Sequence, residues 1–381
     1  MNNAISEKVI PTIDLTEDAE IFEYSKAADP ISSGATPRIP VKTFSPELYA
    51  SGETRVVPLD LSKELKTDYP VTGPSVLASF VRIKAGGSIT TSADATSEFF
   101  YVIKGKGHTE IEQGSIEWNE GDIFALPGVA AAVHHADADT AFYMVNDSPL
   151  LAYLGVEKSK NRFQPTLYTR AMIMTDLERA KNDPNAGKRS RVSVLLANKN
   201  FDQTLTITHT LWSMFGVVPP GTRQLPHRHQ SVALDFAVEA KPGVYTLIGP
   251  DLNPDGSIKD AIRVDWVKGA AFVTPAGYWH EHVNESGADA YVMPIQECRF
   301  AFLPAYLGHP VLSRRLILFW VSCCGPIFRL TAFPVLALHL SPRSKPHLCK
   351  TTELSTPRIL IQYSGFSPFA GTEVGTPGVP A

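Results

Sequence analysis

EWNEGDIFALPG, residues 117–128, and DWVKGAAFVTPAG, residues 265–277, carry the same landmarks in the same order. Trp118, Gly121, Phe124 and Pro127 recur 148 residues later as Trp266, Gly269, Phe272 and Pro275. Four matches at one offset mark an internal duplication. The texture around both copies is alike. From Val41 to about Ile295, short runs of β-branched and aromatic residues are separated by Gly, Pro, Asn and Asp, as in SVLASFVRI, EFFYVI and AFYMV. That pattern predicts an all-β protein. HTEIEQGSIEW predicts a hairpin turning at Gln113-Gly114.

One helix interrupts the pattern. MTDLERAKNDPNAGKRSR offers Thr175 as a cap, good helix formers through Lys181, and stops at Pro184 and Gly187. The expected organisation is therefore a flexible arm over 1–40 with a helical turn near Glu17 to Lys26, and a β domain over 41–157. A linker with its helix over 158–204, a second β domain over 205–297 and an atypical tail over 298–381 follow.

Charge and composition exclude several partners. The chain has 381 residues and a net charge of only −4, with no long basic run, so neither nucleic acid nor a membrane surface is expected to bind it. Its opening, MNNAISEKVIPTIDLTEDAE, lacks the basic end and apolar run of a secretory signal. A cytoplasmic protein is expected. Cys298, Cys323, Cys324 and Cys349 all lie in the last quarter, which leaves the body of the fold without a disulfide framework. From Arg299 onward there is no Asp and only Glu353 and Glu373 against eight Lys or Arg. The tail reads as translated intron or out-of-frame sequence, disordered if made. Its longest uncharged run, Leu316 to Phe328, has 13 residues, short of the roughly 20 that span a bilayer.

The candidate chemistry lies in QLPHRHQSVALD, residues 224–235, and in TPAGYWHEHVNES downstream. Alternate residues of a strand share a face, so His227 and His229 can both point inward while Arg228 points away. His280 or His282 offers a third imidazole. A lone His-x-His is more often a solvated surface feature, so the surroundings decide. Gly221, five residues, His227, one residue, His229, then Gly269, five residues, Pro275, one residue, Gly277, two residues, His280, three residues, Asn284 resembles both signature motifs of the cupin superfamily.

The resemblance implies two tandem cupin domains, each a double-stranded β-helix or jelly roll, in other words a bicupin. It implies His227, His229 and His280 as metal ligands and Asn284 as a supporting residue. One divalent ion is expected, Fe(II) favoured, with Mn, Ni, Zn or Cu compatible with imidazole ligands. The first copy is degenerate. Gly86, Ser92, Asp94, Glu98 and Gly105 keep the motif's skeleton, but Ser and Asp replace its two histidines, and Ala132 and Ala136 stand where His280 and Asn284 stand. His134 and His135 are adjacent and so face opposite ways. No metal is expected there, only packing and oligomer contacts.

Cupins usually add a Glu shortly after the second His; here Ala233 and Leu234 leave a three-histidine face. With PHRH, AL and WHEH, the chain is similar to the gentisate and salicylate 1,2-dioxygenases, bicupins that cleave aromatic rings with Fe(II) and O2. That similarity implies a substrate-binding or acid-base role for His282. Two departures stand out: those enzymes carry an Arg after AL that pairs with the substrate carboxylate, where this chain has Asp235, and they tend to hold the metal in the first barrel. Asp235 shares parity with the histidines and could be a displaced ligand, a general base, a partner for Arg223, itself read as inward, or a merely ion-paired surface residue. Tyr278 and Trp279 belong to the pocket mouth or to the core.

The expected function is a mononuclear metal-dependent oxidoreductase of dioxygenase type, forming homo-oligomers and taking a small aromatic or polyketide-like substrate together with O2. A metal-dependent decarboxylase, isomerase or hydrolase is the alternative, and a non-catalytic binding cupin is the third. The hairpin GPDLNPDGSIKD mimics the start of an EF-hand at Asp251, Asn253, Asp255 and Gly256, but Ile262 sits where the bidentate Glu belongs. It reads as a plain turn.

Overall fold

The computed structural model describes residues 15–128 and 131–297. The tail over 298–381, with the four cysteines, and residues 1–14 of the arm lie outside the described residues.

Each copy of the repeat builds the same pair of sheets. In the first, a six-stranded sheet runs in the order Thr166–Tyr168, Ile123–Pro127, Ser97–Lys104, Thr140–Asn146, Leu77–Ile83, Arg55–Pro58. It faces a four-stranded sheet in the order Ser88–Thr91, Ala132–Ala136, Lys106–Ile111, Gly114–Asn119. The second barrel repeats the arrangement. Its large sheet is Thr43–Phe44, Ala271–Thr274, Ala233–Glu239, Ala290–Glu297, Leu211–Val218, Val192–Leu196, and its small sheet Thr222–Arg223, Trp279–Asn284, Val244–Gly249, Ile262–Asp265. All the pairings are antiparallel, as in a jelly roll.

The run EFFYVI does not alternate because both of its faces are buried. Phe100 and Val102 pack inside the first barrel with Phe124, Phe142 and Trp118. Phe99 and Tyr101 pack the other way, in a cluster that holds Tyr143 and also Phe236 and Leu234 of the second barrel. Tyr143 stacks on Phe236 at 4.9 Å between centroids. The large sheets thus share one apolar layer. The repeated landmarks have matching tasks: Gly121 and Gly269 turn the chain at φ +87° and +82°, a region open to glycine without penalty, and at Gly269 a Cβ would sit 2.2 Å from the Tyr49 hydroxyl.

Several expectations are corrected in detail. The helix runs Arg170–Lys181, and Thr169 caps it by accepting from the Met172 N–H at 3.3 Å. Thr175 is inside it, because the extended backbone required of a cap occurs at Thr169, with ψ 148°. The hairpin in the first barrel turns at Glu112-Gln113, with Ile111 paired to Gly114. In the arm the helical turn is Tyr24–Ala27. Both the arm side and the linker side lend strands to the second barrel: Thr43 pairs with Phe272 and Val192 with Val217. The Asp251 hairpin is a plain one, with Asp255 accepting from Ser257.

Candidate metal centre

The small sheet of the second barrel brings the histidines together. His227 forms an isolated antiparallel bridge with His280, and both side chains turn inward and are buried, as is His229. Arg228 points away and lies over the Trp279 ring at 4.8 Å. The His227 and His280 ring centroids are 4.1 Å apart, and those of His229 and His280 4.8 Å. His282, one inward rung further, is 6.0 Å from His280 and 6.4 Å from His227.

Hydrogen bonds set the tautomers. His227 Nδ1 is 3.0 Å from the Leu225 carbonyl, His229 Nδ1 2.6 Å from that of Ser231, and His280 Nδ1 3.2 Å from that of Tyr278. A carbonyl can only accept, so each Nδ1 carries the proton and each Nε2 presents a lone pair. Burial pushes His227 and His280 well below the ordinary imidazole pKa. They stay neutral, the form that binds a metal ion.

His282 is different. The buried Thr246 hydroxyl accepts from Trp266 Nε1–H at 2.7 Å and lies 2.8 Å from His282 Nδ1. Among the described residues Nδ1 is the one acceptor in reach of the hydroxyl proton, so satisfying that buried proton places the His282 proton on Nε2. The first barrel repeats the relay: Trp118 Nε1–H donates to Thr109, Thr109 meets His134 Nδ1 at 2.8 Å, and His134 Nε2 meets Thr91 at 2.9 Å. The repeated tryptophans are one end of a buried hydrogen-bond chain, a role their spacing could have suggested.

Arg223 does not face the cavity. It pairs across the strands with Val283 and binds Glu281, donating from Nε at 2.8 Å, on the face opposite His280 and His282. The reason is a break at Leu225-Pro226, where the pairing lapses before His227 rejoins it and parity slips by one residue. Glu281, not Asp235, is its partner. Asp235 is inward and buried, opposite Phe272 and Pro294; it accepts from the Thr274 hydroxyl at 2.7 Å. Burial pushes its carboxyl up to about 7, against the Thr274 bond and the Arg191 charge.

Two residues near the histidines escape the motif reading. Gln224 donates its N–H to the His282 carbonyl at 3.0 Å, and its buried Oε1 has no hydrogen-bond partner among the described residues. Arg191 precedes the edge strand Val192–Leu196. Val192 and Val194 face the shared layer, so alternation puts Arg191 and Ser193 on the barrel side. The Ser190 hydroxyl accepts from Leu225 N–H at 3.3 Å, tying this segment to the loop that carries His227. The Arg191 charge is felt at His227, His280, His282 and Asp235. Its face follows from the pairing of Val192–Leu196 with Leu211–Val218, which no local signal gives.

A second cluster lies on the outer face of the first barrel. His108, Glu110 and His135 bring their ligand atoms within 4.8 Å of one another, a tighter grouping than the cavity trio, whose rings gather around His280. His134 turns inward and His135 outward, as alternation requires.

Two jelly rolls of matching topology, one with three inward imidazoles at the motif positions, decide the fold family. The fold is that of two tandem cupin domains. No protein-family model matches it. The chain is 30% identical over 130 residues to a 5-aminosalicylate 1,2-dioxygenase from Comamonas sp, covering 33% of this chain and 32% of that relative. The matched part is thus about a third of the curated relative's length. Its fold is that of the salicylate 1,2-dioxygenase from Pseudaminobacter salicylatoxidans, with a TM-score of 0.58 at 14% identity over 77% of this chain and 93% of the other. The gentisate adduct of that enzyme gives 0.56 at 12% identity, covering 75% and 88%. No helix among the described residues is long and apolar enough to cross a membrane.

Proposed function

We propose that this bicupin is a mononuclear, metal-dependent oxidoreductase of dioxygenase type, acting with O2 on a small aromatic acid. The relatives named for 5-aminosalicylate and salicylate support that substrate class. The observation that carries the reading is the set of carbonyls at Leu225, Ser231 and Tyr278, which hold the Nδ1 protons of His227, His229 and His280 and turn three Nε2 lone pairs to metal binding. These residues fit a divalent ion, Fe(II) by family resemblance. His227, His229 and His280 would hold such an ion, which would supply Lewis-acid and redox chemistry toward the substrate and O2.

The chain's own groups then divide the work. Arg191 pairs with the substrate carboxylate, the task for which no Arg follows the AL dipeptide. Gln224 Oε1 accepts from a ring hydroxyl or amino group. His282, with its proton on Nε2, donates to an oxygen that gains negative charge, acting as donor and not as base. Asp235 lies deeper in the barrel, bonded by Thr274, and is no clamp for an anion.

Metal analysis of protein purified without chelators, on wild type and His229→Ala, together with oxygen uptake on salicylate, 5-aminosalicylate and gentisate, tests this. The His108→Ala variant serves as background, since the outer cluster could hold an ion of its own. Loss of metal and of oxygen uptake in His229→Ala alone is expected. Metal retained in that variant overturns the ligand assignment, and substrate loss without oxygen uptake moves the protein to the decarboxylases, isomerases or hydrolases.

A further inference from the structure

The first barrel is packed at its base and open at its mouth. Phe100, Phe124, Phe142 and Trp118 pack together inside it, and His134 lies against Phe100. Above them lies a cavity of about 670 Å³, within the range of small-molecule sites. Its charged lining residues are Asp94, Glu98 and Glu157, and no Lys, Arg or His is among the described residues that line it. Leu77, Met144 and Val156 supply apolar wall.

Glu98 is the anomaly. It is 1% exposed, sits across from Asn146, and neither carboxyl oxygen has a hydrogen-bond partner among the described residues. Burying an unpartnered carboxyl is costly. The fold does not demand it. Glu98 pairs with Leu126 as Ala233 pairs with Thr274 in the second barrel, so the equivalent rung is satisfied by a methyl group. Other charges nearby are already engaged: Lys158 donates to the Ala93 carbonyl, and Asp147 accepts from the N–H groups of Thr96 and Ser97. Among the described residues no pair of His, Cys, Asp or Glu is close enough to share a metal ion with Glu98.

We infer that the mouth of the first barrel is a second ligand site, for an organic ammonium whose cationic head donates to Glu98 and whose apolar body lies against Leu77, Met144 and Val156. An ammonium supplies the donors the carboxylate lacks, and the acidic lining excludes anions. The site is independent of the metal centre. Burial, moderated by Lys158 and reinforced by Asp147, pushes Glu98 up to about 7, so binding is measured at pH 8, where Glu98 is charged.

Calorimetric titration of the full chain with phenethylamine, 2-phenylethanol and 3-phenylpropanoate reads the site. Saturable binding of the amine, at least about tenfold tighter than the alcohol and with no detectable binding of the carboxylate, is expected. Glu98→Gln should weaken the amine by at least about tenfold; Glu98→Ala, which copies the second barrel's rung, should do the same. Both keep metal content and oxygen uptake, which certifies the fold. No amine binding, equal affinity for amine and alcohol, or wild-type affinity in both variants overturns the proposal.

Discussion

In the first barrel the inward histidine of the small sheet, His134, is met by hydroxyls at both nitrogens, Thr109 at one and Thr91 at the other. In the second, His282 keeps the threonine at Nδ1, but the residue facing its neighbouring rung is an imidazole: Thr91 lies opposite Ala132 where His227 lies opposite His280. Phe100 in one barrel is likewise Asp235 in the other, both paired to the repeated phenylalanine. The glycine turns at Gly121 and Gly269 are common to both. A few inward rungs therefore separate an aromatic interior from one lined by imidazoles and a carboxylate, while the strand order of the sheets that carry them is the same.

The sharpest way to break the comparison is to remove a ligand. His280→Ala, which installs the residue of the first barrel, should abolish metal retention and oxygen uptake together, with the sheets intact by circular dichroism. Next is Arg191→Ala: if it anchors a carboxylate, KM should rise about 10- to 100-fold with kcat little changed. A comparable rise for an uncharged analogue would refute the anchor. Thr246→Val should leave metal content unchanged and lower kcat about 10- to 100-fold by freeing the His282 tautomer, whereas Thr109→Val in the first barrel should cost about 1–3 kcal/mol of stability by orphaning buried donors and spare turnover.

Smaller effects sharpen the contrast through pH. An unfolded Glu98 loses its proton near the ordinary 4.5 and the buried one near about 7. Between those values the folded state holds more protons, so Glu98 makes stability fall as pH rises through that window. Glu98→Gln should remove up to about 1.4 kcal/mol of that fall per pH unit, read by denaturant unfolding between pH 4 and 8 (roughly the span of the two values). The smallest effect on turnover belongs to Arg223→Ala, which strips the partner from buried Glu281 and should cost about 1–3 kcal/mol of stability with oxygen uptake unchanged.

How far the sequence carries is visible residue by residue. Trp118 and Trp266, with Gly, Phe and Pro at fixed distances, expose the duplication because turn and core rungs constrain residue type directly. The inward placement of His227, His229 and His280 is legible for the same reason. Arg223 is not, since its face depends on whether pairing survives Leu225-Pro226, and a lapse of one residue inverts parity. Arg191 and Gln224 depend on which strands neighbour one another, a non-local fact. Glu98 keeps a motif position, yet its lack of partners emerges only from the packing around it.

The strand Thr43–Phe44 has a consequence for how the molecule is made. It is the first of the described strands to leave the ribosome, and its partner residues Ala271 and Phe272 come more than two hundred positions later. The sheet backing the histidines can close at that edge only when almost all of the described chain has emerged. Closure of that edge thereby waits on the emergence of Phe272, so a chain stalled before it carries an unfinished barrel.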